Sequence, residues 1–390
     1  MRPVAGPPAL HTSLFYAAFF LAVGAHLPFW PLWLADWGLS AGEIGLYTAL
    51  GTATRVVAGL AIPAVADRLD ARRATLVASA IFGAVVVLAH LGIETRPLLI
   101  AATIAAGAAI AGIGPIGEAL GLAASRAHGF SYARARAVGS AGFLAANLAV
   151  GALIPVLDID FVLLWIVACL VAVALLAPGH PGGRRVQGQS PPDMREIGRL
   201  LTRAPFAFFV AAVALLQASH AVFYAYGSVH WRALGLGEGE IGALWAVGVA
   251  AEIGFLVTFG TALVARLGPV RSLWLSGIAG LVRWGAMTLD PTGWALVPLQ
   301  ALHAVTFAVA HLGAMAFVAI AVPARYGASA QGALSAVAGG LALALGMALA
   351  AALYPTLGGG TYAIGAVFSL LGIAAALLLG RRWNGERLPG

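Results

Sequence analysis

Lysine is absent from this 390-residue sequence, and cysteine occurs once, as Cys169 in an apolar run. A lone cysteine there excludes a disulfide framework and a thiolate metal site. Charge of either sign is scarce: 9% of residues are charged, against about 25% in soluble domains. So few charges exclude a water-covered globule of this length. The sequence also lacks a phosphate loop, an HExxH pair and a nucleophile elbow. No soluble stretch is long enough to host catalysis, so an enzyme is not expected, and neither a cofactor nor a metal is implied.

What is present is apolar. Hydrophobic residues make up 61% of the chain, and the mean hydropathy is +0.94. Lipid must form part of the solvent, and about 20 apolar residues suffice for one helical crossing. The net charge of +7 rests on arginines set in short connections between apolar runs. They form no continuous basic face, so nucleic acid is excluded as a partner. The all-arginine usage and the Ala/Gly richness point to a GC-rich bacterial genome. Nothing at the N-terminus resembles a cleaved signal, because the first apolar run continues into Pro28, Trp30 and Trp33.

Apolar runs between charged or Gly/Pro punctuation predict spans near 12–35, 43–66, 74–93, 97–122, 134–156, 160–178, 204–231, 240–264, 270–289, 293–321, 328–354 and 359–380. Arginines sort by connection. Those after even-numbered spans carry Arg68, Arg72 and Arg73, then Arg126, then Arg184, Arg185, Arg195 and Arg199, then Arg266 and Arg271, then Arg325, then Arg381, Arg382 and Arg387. Those after odd-numbered spans carry Asp36, Glu94 with Arg96, Asp158, Arg232 with Glu238, and Asp290. The positive-inside rule then places both termini in the cytoplasm.

The only linker-like stretch, 179–203, falls at the midpoint. Gly38-Leu39-Ser-Ala-Gly42-Glu43-Ile44-Gly45 recurs as Gly235-Leu236-Gly-Glu-Gly239-Glu240-Ile241-Gly242, followed by matched Ala49/Ala246 and Gly51/Gly248. The expected architecture is therefore an all-α membrane protein of twelve transmembrane helices in two pseudo-symmetric six-helix halves. These are 1–178 and 204–390, joined by a cytoplasmic linker at 179–203. A monomer in the bacterial inner membrane is expected.

These features resemble the major facilitator superfamily. Pro63-Ala-Val-Ala-Asp67-Arg68-Leu-Asp70-Ala-Arg72-Arg73 is similar to its G-x-x-x-D-R-x-G-R-R signature with both glycines replaced, and Arg266-Leu-Gly268-Pro-Val-Arg271 is a weaker echo. Four further blocks resemble the phenylpropionate permease branch, related to lactose permease and nucleoside/proton symporters. They are Leu27–Leu34 (LPFWPLWL), Tyr132–Phe143 (YARARAVGSAGF), Glu252 in its apolar setting, and Arg283-Trp284 with Gln300–His311 (QALHAVTFAVAH). The resemblance implies proton-coupled uptake and, for this branch, an aromatic carboxylate substrate.

An ionisable group at bilayer depth costs roughly 2.5–3.5 kcal/mol, so by default it faces a partner or water. His26, Arg55, Glu118, His220, Glu252, Arg283, His303 and His311 all stand near the middle of predicted spans, with Asn147 and Gln217 as neutral companions. Arg55 and Glu252 each follow the repeated glutamate by twelve residues, which suggests an intramembrane charge pair. A buried carboxylate such as Glu252 is a natural proton carrier. Glu252, Arg283 and His303 resemble the proton-coupling set of lactose permease, although Thr306 stands where that permease has an acid. His311 lies two turns after His303, on the same face.

Glu118 and Arg136 resemble the permease pair that contacts substrate, and a guanidinium can hold a carboxylate bidentately. Arg136 also reads as an ordinary positive-inside residue. Tyr224 and Trp245 are candidates to stack on an aromatic substrate. Asp67, Arg68, Arg72 and Arg73 belong to the gating signature. The expected partners are a small-molecule substrate, protons and lipid. Two other readings fit less of this pattern: a proton-driven exporter of drugs or metabolites, and a non-transporting membrane receptor.

Overall fold

The computed structural model describes residues 6–182, 198, 202–323 and 327–388, and among them every regular element is helical. Arg184, Arg185, Arg195, Arg199 and Arg325 lie outside the described residues. The early helices are α1 (Pro7–Asp36), α2 (Ala41–Arg68), α3 (Arg72–Ala89), α4 (Arg96–Ala111), α5 (Ile113–His128), α6 (Tyr132–Leu157) and α7 (Phe161–Leu176). They are followed by α8 (Ala204–Ala218), α9 (Ala221–Ala233), α10 (Glu238–Phe255) and α11 (Thr261–Met287). The last are α12 (Leu296–Ala301), α13 (Ala310–Ala321), α14 (Gly327–Leu334), α15 (Leu343–Leu357) and α16 (Ala363–Arg382).

Among the described residues, nine helical stretches are long and apolar enough to cross a membrane, and α7 is a shorter apolar helix. Large apolar side chains stay exposed along them, including Val57 (71%) and Val257 (80%). Exposed apolar surface on this scale requires hydrocarbon as the surrounding medium.

The helices begin and end where the sequence leaves no alternative. Proline sits in the first turn of α1, α4 and α8, where its missing N–H costs nothing. Gly38 and Gly235, the first residues of the repeated motif, hold φ of 95° and 92°, a conformation that favours glycine. The repeated glutamate then caps the following helix. Glu43 Oε2 accepts from the Ser40 N–H at 2.8 Å and its hydroxyl at 2.7 Å. Glu240 Oε2 accepts from the Gly237 N–H at 2.9 Å. The GEIG repeat is thus a turn-and-cap device that starts α2 and α10 alike.

Several predicted spans are interrupted. The 97–122 run is two helices broken at Gly112, and the 204–231 run is broken at Ser219-His220. Inside α11, Gly268 leaves the helical region (φ 74°, ψ 169°) just before Pro269, so the arginine-bearing echo motif is a turn. Wide π-type turns occupy Leu256–Gly260, Ala304–Val309 and Ser335–Ala342. Such turns displace the regular hydrogen-bond ladder and often mark functional positions.

Contacts group the described residues into two compact units. The first lies within Met1–Leu39, Leu50–Gln189 and Trp231–Ala246, and the second within Ser40–Ala49, Ser190–His230 and Val247–Gly390. Each unit therefore takes in a short segment from the other half of the sequence. In the first, α1 packs on α6 so closely that a Cβ on Gly24 would lie 2.6 Å from the Phe143 carbonyl oxygen. In the second, Tyr226 donates to the Ala41 carbonyl at 2.7 Å, and its ring stacks on Tyr354 at 4.0 Å.

Candidate functional site

Among the described residues, one cluster of charged and aromatic side chains in each unit brings sequence candidates together. In the first, α5 carries Glu118 and α6 carries Arg136 and Tyr132. The Ser131 side chain caps α6 through the Arg134 N–H, setting the first turn from which Tyr132 and Arg136 project. Arg136 Nε donates to Glu118 Oε1 at 2.7 Å, with the side chains 31% and 39% exposed. Tyr132 donates to Glu118 Oε2, and Tyr16 from α1 donates to the same oxygen at 3.4 Å. The guanidinium lies 4.0 Å over the Phe20 ring. Arg134 is exposed, so the two arginines of this motif part company.

The second unit carries its cluster deeper. Arg283 of α11 is fully buried (0% exposed), with Gln300 (1%) and Thr306 (2%) beside it. Arg283 Nη1 donates toward His303 Nδ1 at 3.2 Å and to Thr306 Oγ1 at 3.1 Å; Nη2 donates to Gln300 Oε1 at 3.0 Å. The far nitrogen of His303, Nε2, faces Glu252 Oε2 at 3.4 Å. Because guanidinium nitrogens only donate, His303 Nδ1 must accept, and the proton of a neutral ring sits on Nε2, toward Glu252. The result is a line from guanidinium through imidazole to carboxylate. Among the described residues no carboxylate lies within 4 Å of Arg283; Glu252 is on the far side of His303.

Aromatic rings wall this line. The Arg283 guanidinium lies 4.5 Å from the Trp284 ring and 5.2 Å from Phe223. His303, Phe307 and His311 stack in series at 5.1 and 6.5 Å, which places the two histidines on one helix face. Tyr224 stacks on His220 at 5.8 Å. The π-type turn Ala304–Val309 begins one residue after His303 and contains Thr306. It widens the helix at the point where three polar groups converge.

Of the sequence candidates, Arg283, His303 and Glu252 come together, as do Glu118 and Arg136. Trp245 is buried in the first unit. Arg55 and Glu252 belong to different units. Within its own unit, Arg55 Nη2 lies 3.2 Å from His26 Nε2. In the signature loop, Arg72 Nε donates to Asp67 Oδ1 at 2.5 Å, Arg68 is exposed, and Arg73 donates to the His180 carbonyl. Sequence reasoning named His220 as an intramembrane histidine and Thr306 as the residue in place of an acid, but joined neither to this cluster and gave Gln300 no role; in the structure His220 Nε2 lies 3.2 Å from Thr306 Oγ1. A signal was available, since Gln300, His303 and Thr306 form a polar stripe at three-residue spacing in an apolar run.

Residues 9–363 match the family model described as MFS_1 like family. The chain belongs to the MFS_1-like family. As an MFS_1-like protein it is a multi-pass membrane transporter of the major facilitator type. A probable 3-phenylpropionic acid transporter from Escherichia coli (strain K12) is 31% identical over 368 residues, covering 92% of this chain and 94% of that protein. Among solved structures, the nucleoside transporter NupG aligns with a TM-score of 0.80 at 14% identity, covering 97% of this chain and 100% of that one. A D-xylose–proton symporter aligns with a TM-score of 0.67 at 15% identity, covering 98% and 97%. Both show the shared fold of this MFS_1-like chain.

Proposed function

We propose that this protein is a proton-coupled importer of a small organic solute, with an aromatic carboxylate as the substrate class. It works by alternating access in the bacterial inner membrane. The observation that carries the reading is the buried line Arg283–His303–Glu252. A carboxylate beside an imidazole can hold one proton between them, and a fixed cation next to that pair makes its charge state sensitive to any anion that arrives. The substrate class comes from the relative described as a probable 3-phenylpropionic acid transporter and from the aromatic lining of both clusters.

In this reading Glu252, His303 and Arg283 couple the proton, and His311 extends the path along the same face. Glu118 and Arg136 contact the solute. Tyr224 and Trp245 each lend an aromatic face within their own unit. Asp67, Arg68, Arg72 and Arg73 guard the arginine-rich side, where an ion pair at a helix end can break and reform. Twelve spans follow when Ala330–Arg382 is counted as two crossings and α7 and the 269–287 helix are added. The halves are then 1–178 and 204–390, joined by 179–203, with both termini cytoplasmic. The protein acts as a monomer.

The deciding experiment is uptake by proteoliposomes under an imposed pH gradient. Glu252→Gln should abolish accumulation above equilibrium while counterflow exchange persists, because only the proton carrier is lost. Undiminished accumulation by that variant would remove Glu252 from the coupling.

A further inference from the structure

The buried cluster of the second unit has donors to spare. Arg283 Nε and Gln300 Nε2 are both buried N–H groups with no acceptor among protein atoms. The two side chains are joined by one bond, Arg283 Nη2 donating to Gln300 Oε1 at 3.0 Å. That bond also settles the amide's orientation, since a rotated amide would set its NH2 against a guanidinium that cannot accept. Nε and Nη2 form the side edge of the guanidinium, the edge that grips a carboxylate through two parallel bonds. On the opposite edge, Nη1 is committed to His303 and Thr306. One edge is thus tied to the proton-carrying pair, and the other ends in two unused donors.

Burying an ion without a counter-ion is strongly unfavourable, and a buried donor left unmade costs free energy as well. Arg283 combines both penalties: it is 0% exposed and has no carboxylate within 4 Å among the described residues. Arg136 in the first unit carries neither, because Glu118 occupies its Nε at 2.7 Å.

We infer that Arg283 and Gln300 form the carboxylate-binding subsite of this transporter, and that the ligand class is a monocarboxylate bearing an aromatic ring. The carboxylate accepts from Arg283 Nε and Gln300 Nε2. Trp284 and Phe223, which already bracket the guanidinium, supply the apolar wall for the carbon skeleton. Both donors are sealed from solvent, so the ligand reaches them when the surrounding helices part. The helical ladder is already broken next to them, at Ser219-His220 and at Ala304–Val309. Trp284 Nε1 donates to Ser219 Oγ at 3.1 Å, which holds the first of these breaks against the subsite.

The placement also accounts for coupling. An anion on one edge of Arg283 cancels the charge that the other edge presents to His303, and a proton then enters the His303–Glu252 pair at lower electrostatic cost. Substrate and proton therefore load together. This inference rests on the proposed uptake of an organic acid.

The test is equilibrium binding to purified full-length protein in detergent, with 3-phenylpropionate and its neutral amide as probes. Wild type should prefer the acid by at least tenfold. Gln300→Glu places a fixed carboxylate on the guanidinium and should erase that preference, while Gln300→Leu should reduce it several-fold. Arg283→Lys, which keeps the charge but loses the fork, should fall between these. Arg136→Gln should weaken acid and amide alike and leave their ratio standing. Should Gln300→Glu keep the full preference, or should Arg136→Gln be the variant that erases it, the subsite is wrong while the substrate class survives. If wild type binds neither this acid nor benzoate, the substrate class and the subsite fall together. Because Gln300→Glu removes no charge partner, it keeps the test valid even where Arg283 variants fail to fold.

Discussion

Both clusters set an arginine near a glutamate among aromatic rings, and they solve opposite problems. In the first unit, Arg136 meets Glu118 directly, two tyrosines share the carboxylate, and the pair is about a third exposed. In the second, the guanidinium is fully buried and is offered only neutral acceptors. A satisfied ion pair near water is a stable way to shape a polar surface and costs little to hold. A buried cation without a counter-ion is held only because the surrounding structure compels it, and its charge is available to an incoming group. In the proposed mechanism the second cluster is therefore the one whose state changes with its occupant.

The largest effect should come from removing the cation that lacks a counter-ion. Arg283→Gln is expected to lower uptake at least a hundredfold, about 2.7 kcal/mol of transition-state free energy, without lowering the thermal midpoint. Arg136→Gln should cost far less activity. Equal losses in the two variants, measured as initial rates in the same vesicles, would abolish the distinction drawn between the clusters.

A different kind of buried cation is refused at the arginine-rich end of the first unit. His180 is sealed (0% exposed) among the Phe15 and His11 rings. Burial, followed by the neighbouring His11 and Arg73, holds its imidazole down at about 4. Its Nδ1 accepts from the Gly182 N–H at 3.2 Å, a bond that protonation would destroy. The unfolded chain binds the proton near pH 6.5 and the folded protein only near pH 4, so stability is intact above the first value and falls between the two. By pH 5 the loss should be about 2 kcal/mol. Comparing melting curves of wild type and His180→Gln from pH 7 to 5 checks this; parallel curves would show that His180 does not titrate in this window.

A smaller and sharper perturbation gives the second cluster what the first already has. Thr306→Asp sets a carboxylate beside Arg283 Nη1, and it should raise the thermal midpoint by a few degrees while slowing uptake about tenfold, roughly 1.4 kcal/mol. Faster uptake would mean that the missing counter-ion is a handicap and not part of the mechanism. The smallest effect belongs to Glu118→Gln, which should cost under about 1 kcal/mol of stability because the ion pair is partly exposed. A larger loss in thermal unfolding would make that cluster a structural tie.

Much of this was legible beforehand, and the reason differs by feature. The GEIG repeat was legible as one device used twice because turn and cap chemistry is local: Gly38 and Gly235 need a left-handed backbone, and Glu43 and Glu240 reach only three residues back. Arg283, His303 and Glu252 stood out because ionisable residues are rare at bilayer depth. What stayed hidden was the wiring. Gln300 and Thr306 are neutral, and nothing in a linear stretch says that both turn toward an arginine about twenty residues earlier. The signature arginines also read alike in the sequence, yet Arg72 pairs with Asp67 while Arg73 holds the His180 carbonyl, more than a hundred residues away.

Hydropathy and the repeated motif are local or additive properties of the chain, so the sequence by itself determined a helical membrane protein with a turn-and-cap device used twice and the ionisable residues within it. The tertiary structure alone decided which guanidinium received a carboxylate. Helix breaks at Ser219-His220 and Ala304–Val309 rotate side chains by fractions of a turn, and hydrogen bonding at 3 Å depends on that rotation. Arg136 met Glu118, Arg283 met Gln300, His303 and Thr306, and that difference in partners separates a satisfied pair from a responsive one.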